Sequence, residues 1–286
     1  MNMKTGLLAI CVLGTVGFAQ AGAVFRTKVE NFTKGNQFFE GGKSYTTVTK
    51  VDGNRMRVDT VGEDGKMATS MIFLGDTDEM YMIDHGKKTY IVMDRESIDA
   101  LANQLSGAMK QMQEALAQVP PAQREMMERM MKQKMGADPN AKPPSPPVVE
   151  SLGKNGSVNG IGCDWKAVLR DDVLSEKACV CDQGKIAGGK EMVAIAYEMK
   201  DFAAGLRKLA TSASNSQMFG GGTMAEYGAT VTADLGGFPL ISEHYDDKGK
   251  LMQRSTFQSA DDVAVPAQEF TPPSGYKKQT MRGMAR

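Results

Sequence analysis

Between Val24 and Met93 the chain alternates apolar and polar residues in six short runs, and Gly, Asn or Asp separates most of them. A period of two puts successive side chains on opposite faces, so each run reads as a strand with one buried face. The runs are Val24–Phe32, Lys43–Val51, Arg55–Val61, Lys66–Leu74, Met80–Ile83 and Thr89–Met93. Between them Asp52-Gly53-Asn54, Glu63-Asp64-Gly65 and Asp84-His85-Gly86-Lys87 supply residues that accept positive φ. Connections this short join neighbours in opposite directions, which predicts an antiparallel meander.

After Asp94 the period becomes helical. Ile98, Leu101, Leu105, Met109, Met112, Leu116 and Val119 fall three or four apart on one face, behind Asp94 or Ser97 as N-cap. Pro120-Pro121 ends this helix, and a second is expected from Pro121 to Met135, giving a Met-rich helical hairpin. GADPNAKPPSPP cannot sustain either regular ladder, so residues 136–149 read as a Pro-rich linker. It separates a strand-and-hairpin half (24–135) from a second half (150–286) expected to complete the same sheet. That half has strands at Gly162–Arg170, Val173–Cys181, Tyr227–Leu235, Pro239–Tyr245 and Lys250–Gln258, and one further helix near Lys200–Ala213. The fold class is mainly β, with α+β character.

Residues 1–23 carry Lys4, an apolar stretch from Gly6 to Phe18 and small residues suited to cleavage near Ala21 or Ala23, which predicts a signal peptide. Leu8-Ala9-Ile10-Cys11 has the outline of a lipoprotein box, but Ile10 stands where a small residue is wanted, so Cys11 is read as part of the discarded leader. No later run approaches the roughly 20 apolar residues of a spanning helix. The expected location is periplasmic or secreted, with no stable membrane span. Lys plus Arg equals Asp plus Glu at 34 each, and without a basic face nucleic acid binding is not supported.

Three stretches, RMRVD (Arg55–Asp59), IFLGDTDEMYMIDHGKKTYIVMD (Ile72–Asp94) and FTPPSGY (Phe270–Tyr276), resemble the bacterial lipoprotein-carrier superfamily of LolA and LolB types. They are closer still to that superfamily's exported relatives of uncharacterised function. The resemblance implies a curved antiparallel sheet, or half-barrel, wrapped around helices so as to leave an apolar cavity for acyl chains. The Met-rich segment, the linker and the cysteines depart from the carriers.

Candidate sites follow from side-chain type. Of Cys163, Cys179 and Cys181, an odd set in an oxidising compartment, Cys163 is expected to bridge to Cys179 or to Cys181. Leu105, Met109, Met112 and Leu116, with Met127, Met130 and Met131, form an apolar helix face expected to line a ligand groove. Soft thioethers at that spacing, joined by Cys179 and Cys181, also suggest Cu(I) as an alternative. His85 and His244 are the only histidines and read as structural or solvent-facing. With no nucleophile elbow, helix-borne His pair or phosphate loop in evidence, no catalytic residue, resident metal or cofactor is assigned. The resulting expectation is a non-enzymatic carrier whose partner is an apolar small molecule or acyl chain; an envelope protein-interaction module without ligand is the remaining alternative.

Overall fold

The computed structural model describes residues 22–32, 44–120, 123, 146–212 and 234–279. Among the described residues twelve strands form one curved open sheet. In chain order they are β1 (Ala23–Asn31), β2 (Ser44–Asp52), β3 (Arg55–Gly62), β4 (Met67–Leu74), β5 (Glu79–Asp84), β6 (Thr89–Asp94), β7 (Val148–Val158), β8 (Ile161–Arg170), β9 (Val173–Cys181), β10 (Phe238–Tyr245), β11 (Leu251–Asp262) and β12 (Lys277–Gln279). Their order across the sheet is β12-β6-β5-β4-β3-β2-β1-β11-β10-β9-β8-β7. Each half is a meander, and the two are joined where β1 pairs antiparallel with β11 from Ala23↔Asp262 to Asn31↔Gln253. Among the described strands β12 alone runs parallel to its neighbour.

Among the described residues there are two α-helices, α1 (Arg95–Ala117) and α2 (Gly189–Ser212). They pack on each other and on the concave face. Asp94 is the N-cap of α1, its Oδ1 accepting from the Ser97 amide at 2.7 Å. The α2 stripe of Ile195, Met199 and Phe202 is buried against the sheet, with Phe202 edge-on to Phe73 at 6.0 Å. No helix among the described residues is long and apolar enough to cross a membrane.

Alternation explains why β4 is buried at consecutive positions. Phe73 points to the helices, whereas its neighbour Ile72 points to the convex face, where Ile83 and Phe270 cover it. That convex cover comes from the C-terminal segment, and a buried polar cluster pins it. Asp59 accepts from Arg57 Nε and from Ser70 Oγ, both at 2.6 Å, with Lys50 Nζ at 3.4 Å. Arg57 Nη1 donates to the Glu269 carbonyl at 2.9 Å, and Lys50 Nζ reaches the Glu269 carboxylate at 2.8 Å. His85 Nε2 lies 2.7 Å from Ser70 Oγ, and its Nδ1 lies 2.9 Å from the Tyr276 hydroxyl. Ser70 has one proton and gives it to Asp59, so His85 Nε2 donates to Ser70 and Nδ1 accepts from Tyr276. A neutral imidazole fits this arrangement, and burial, seconded by the Arg57 charge, lowers the His85 pKa. Three stretches far apart in sequence contribute to this face: Arg57 and Asp59, then His85, then Phe270 and Tyr276.

Several elements differ from the sequence reading. Helix α2 starts at Gly189, well before Lys200. Strands β7 and β12 have no counterpart in the period-two reading, because β7 is a largely exposed edge strand with no apolar alternation and β12 is three exposed residues long. The expected strand at Tyr227–Leu235 falls mostly outside the described residues, and Asp234 and Leu235 are not in a strand. Apart from Gln123, the second helix of the expected hairpin, from Pro121 to Met135, also lies outside the described residues.

Cys163 and Cys179 form a disulfide between β8 and β9, with Cα atoms 5.3 Å apart, and Cys181 is a buried free thiol. Gly156 on β7 lies over this bridge, where a Cβ would come within 2.8 Å of Cys179 Sγ. Chain closure over a sequence separation of 16 is worth about 3 kcal/mol in the loop-entropy model; the double substitution Cys163→Ser, Cys179→Ser is expected to lower unfolding free energy by that order in urea titration. Arg57→Ala leaves a buried carboxylate short of its main cation and should cost about 3–5 kcal/mol, read in the same titration.

Candidate functional site

The concave face and the first half of α2 line a half-open cavity of about 250 Å³. Register decides which side chains reach it. On β1 and β2, Thr27 faces Thr47 and Val29 faces Tyr45; on β11 and β10, Ser255 faces Ser242 and Gln253 faces His244. These pairs continue one face across four strands, and Met56 of β3 extends it. Met192, Ala196 and Met199 of α2 form the opposite wall, and Phe238, Leu240 and Phe257 close the base. Phe238 stacks on Phe25 and meets Phe257 edge-on, each at 5.6 Å. Gly188, at φ +63°, lets the start of α2 approach β1, since a Cβ there would overlap that of Ala23.

One side of the cavity is polar. Gln253 Nε2 donates to Asn31 Oδ1 at 3.0 Å and to the Tyr45 hydroxyl at 3.2 Å, which fixes the amide orientation. Residues 234–237 form the rim: Lys166 Nζ donates to the Leu235 carbonyl at 2.5 Å, and the Tyr197 hydroxyl donates to Asp234 Oδ1 at 2.6 Å. Half-buried His244 has its pKa lowered to about 4 by desolvation. Glu176, its register partner on β9, is 2% exposed and has its Oε1 without a hydrogen-bond partner. Burial raises the Glu176 pKa to about 7 against the opposing effects of a Ser242 hydrogen bond and the Arg170 charge.

The structure places the sequence candidates unevenly. Leu105, Met109, Met112 and Leu116 belong to α1, whose backbone is described there while their side chains are not; Met127, Met130 and Met131 lie outside the described residues. The Met residues that do line the cavity are Met56, Met192 and Met199. Their signal was present in the spacing of Met192, Ile195, Met199 and Phe202, hidden behind Gly188-Gly189 and the β-branched Val193 and Ile195. The pair of thiolates envisaged for Cu(I) is not available, because Cys179 is bonded to Cys163 and burial raises the Cys181 thiol pKa. Among the described residues no group of three or more His, Cys, Asp or Glu side chains is disposed to hold a metal ion.

A family model described as a domain of unknown function (DUF4412) matches residues 40–113, the stretch from the approach to β2 through most of α1. No curated protein matches the chain. Among solved structures, an uncharacterized conserved protein from Thermus thermophilus is similar at TM-score 0.44 and 4% identity, over 91% of each chain. MucB is similar at TM-score 0.35 and 12% identity, over 91% of this chain and 60% of that one. The Pseudomonas aeruginosa MucA/MucB complex is similar at 0.36 and 11%, over 91% and 58%.

The two titrations act in opposite directions. Glu176 keeps a proton in the folded state from its ordinary 4.5 up to about 7, so its share of stability is present below pH 4.5 and lost as pH rises through 7. His244 refuses a proton from its ordinary 6.5 down to about 4, so its share is present above pH 6.5 and lost as pH falls through 4. Glu176→Gln is therefore expected to stabilise the protein by up to about 3 kcal/mol at pH 8 and by nothing at pH 4, measured by urea unfolding at both values.

Proposed function

We propose that this chain is a non-enzymatic binding protein for a small apolar ligand, held between the concave sheet and α2. The observation that carries the reading is the cavity itself: a preformed space walled by Phe, Leu, Met and Val side chains with a few convergent polar groups on one side, which is the composition of ligand sites in general. A core closed for stability alone would be filled to near crystal density, with few voids larger than a water molecule. The sequence resemblance to lipoprotein carriers agrees with an apolar cargo, and the signal-peptide reading of residues 1–23 with a periplasmic or secreted location. The disulfide fits an oxidising compartment.

Chemistry on the ligand is not part of the proposal. His244 and Ser242, which line the cavity, and Glu176, which pairs in register with His244 and bonds to Ser242, are assigned to the polar side that holds a ligand's head.

The test is titration of the purified protein with the apolar dye N-phenyl-1-naphthylamine. One saturable site with enhanced fluorescence is expected. Ala196→Phe, which adds a ring to the cavity wall from a half-buried position on α2, should weaken that site at least tenfold while the far-ultraviolet circular dichroism is unchanged; equal binding by the two proteins would sink the reading.

A further inference from the structure

The cavity lining has a composition that narrows its ligand beyond apolar. Among the described residues that line it there is no Lys, Arg, Asp or Glu. Every polar side chain that lines it is neutral: the hydroxyls of Thr27, Thr47, Thr49, Ser242, Ser255, Tyr45 and Tyr197, the Gln253 amide and the His244 imidazole. On the rim, Lys166 points its ammonium at the Leu235 carbonyl, and Asp234 accepts from Tyr197. Beneath the polar side lies Glu176, an acid already short of one hydrogen bond.

A charged headgroup brought into such a place loses its hydration without meeting a counter-ion, which is prohibitive for an isolated charge in an apolar surrounding. A carboxylate or phosphate would in addition approach Glu176. A hydroxyl, ester or amide loses far less and finds donors and acceptors in Ser242, Ser255 and Gln253.

We propose that the site selects an uncharged amphiphile, an alkyl chain ending in a hydroxyl, ester or amide, and discriminates against fatty-acid anions and alkyl amines of the same length. The proposal rests on the apolar-ligand reading above and adds head-group selectivity to it.

Displacement of N-phenyl-1-naphthylamine by 1-octanol, octanoate and octylamine at pH 7.5 tests this with the tail held constant. Octanol should displace the dye with an affinity at least tenfold above either ion. Octanoate or octylamine matching octanol overturns the selectivity while leaving apolar binding intact. Absence of any dye site overturns both the selectivity and the reading on which it rests. Ala196→Lys supplies the missing cation from the cavity wall, its stem able to lie along the apolar surface; in this variant octanoate should gain at least tenfold relative to octanol. A variant that stays folded by circular dichroism and keeps the original ranking shows that lining charge does not set the preference, and so overturns the proposal.

Discussion

The antiparallel pairing of β1 with β11 is the interaction on which the rest depends. Every other antiparallel pair joins strands close in sequence or within one half of the chain; this one ties the first strand to the eleventh. Without it there are two separate meanders, each with an open edge and one naked apolar face. With it there is a single sheet wide enough to curl over two helices. The cavity exists only at this junction, because Thr27 and Val29 of β1, Thr47 of β2, and Ser255 and Phe257 of β11 are brought side by side there. Cooperative burial of one continuous apolar face follows from a seam that no local sequence signal encodes.

The two faces of the sheet are stabilised by different physics. On the concave side Phe25, Phe73, Phe202, Phe238 and Phe257 pack with Met and Leu side chains, and the gain is removal of apolar surface from water. On the convex side a shorter patch around Ile72, Ile83 and Phe270 is held by directed bonds among Arg57, Asp59, Ser70, His85 and Tyr276. Directed bonds suit that side because the covering element is an irregular segment with little apolar area of its own. They specify its position where packing alone would allow it to slide.

Strand positions in the first half were legible to within a residue or two, since an exposed turn after each half-buried strand leaves a strong period-two signal from Val24 to Met93. The N-cap at Asp94 and the bridging potential of Cys163 were legible for the same local reasons. The cavity was not. Thr27, Ser242 and Gln253 are unremarkable strand residues until register aligns them, and register between distant strands leaves no trace in a single sequence. Helix α2 was read late because its first turns, from Gly189 through Ile195, mix glycine and β-branched residues that locally disfavour a helix; tertiary burial of Ile195 and Met199 overrides that preference. The conspicuous Met cluster drew attention to α1, whereas the cavity Met residues are dispersed over Met56, Met192 and Met199.

Glu176 and Cys179 lie three residues apart on β9, and their neighbourhood links two otherwise separate liabilities. A buried carboxyl group tends to force its strand toward water once it ionises, while the covalent bridge to β8 resists that opening. Oxidation thus protects the one strand that alkalinity would loosen. In a reducing, mildly alkaline compartment β9 would lose both supports at once, and with it the partner that holds β10 against the polar side of the cavity. The bridge thus bears on the polar side of the cavity, although neither Cys163 nor Cys179 lines it.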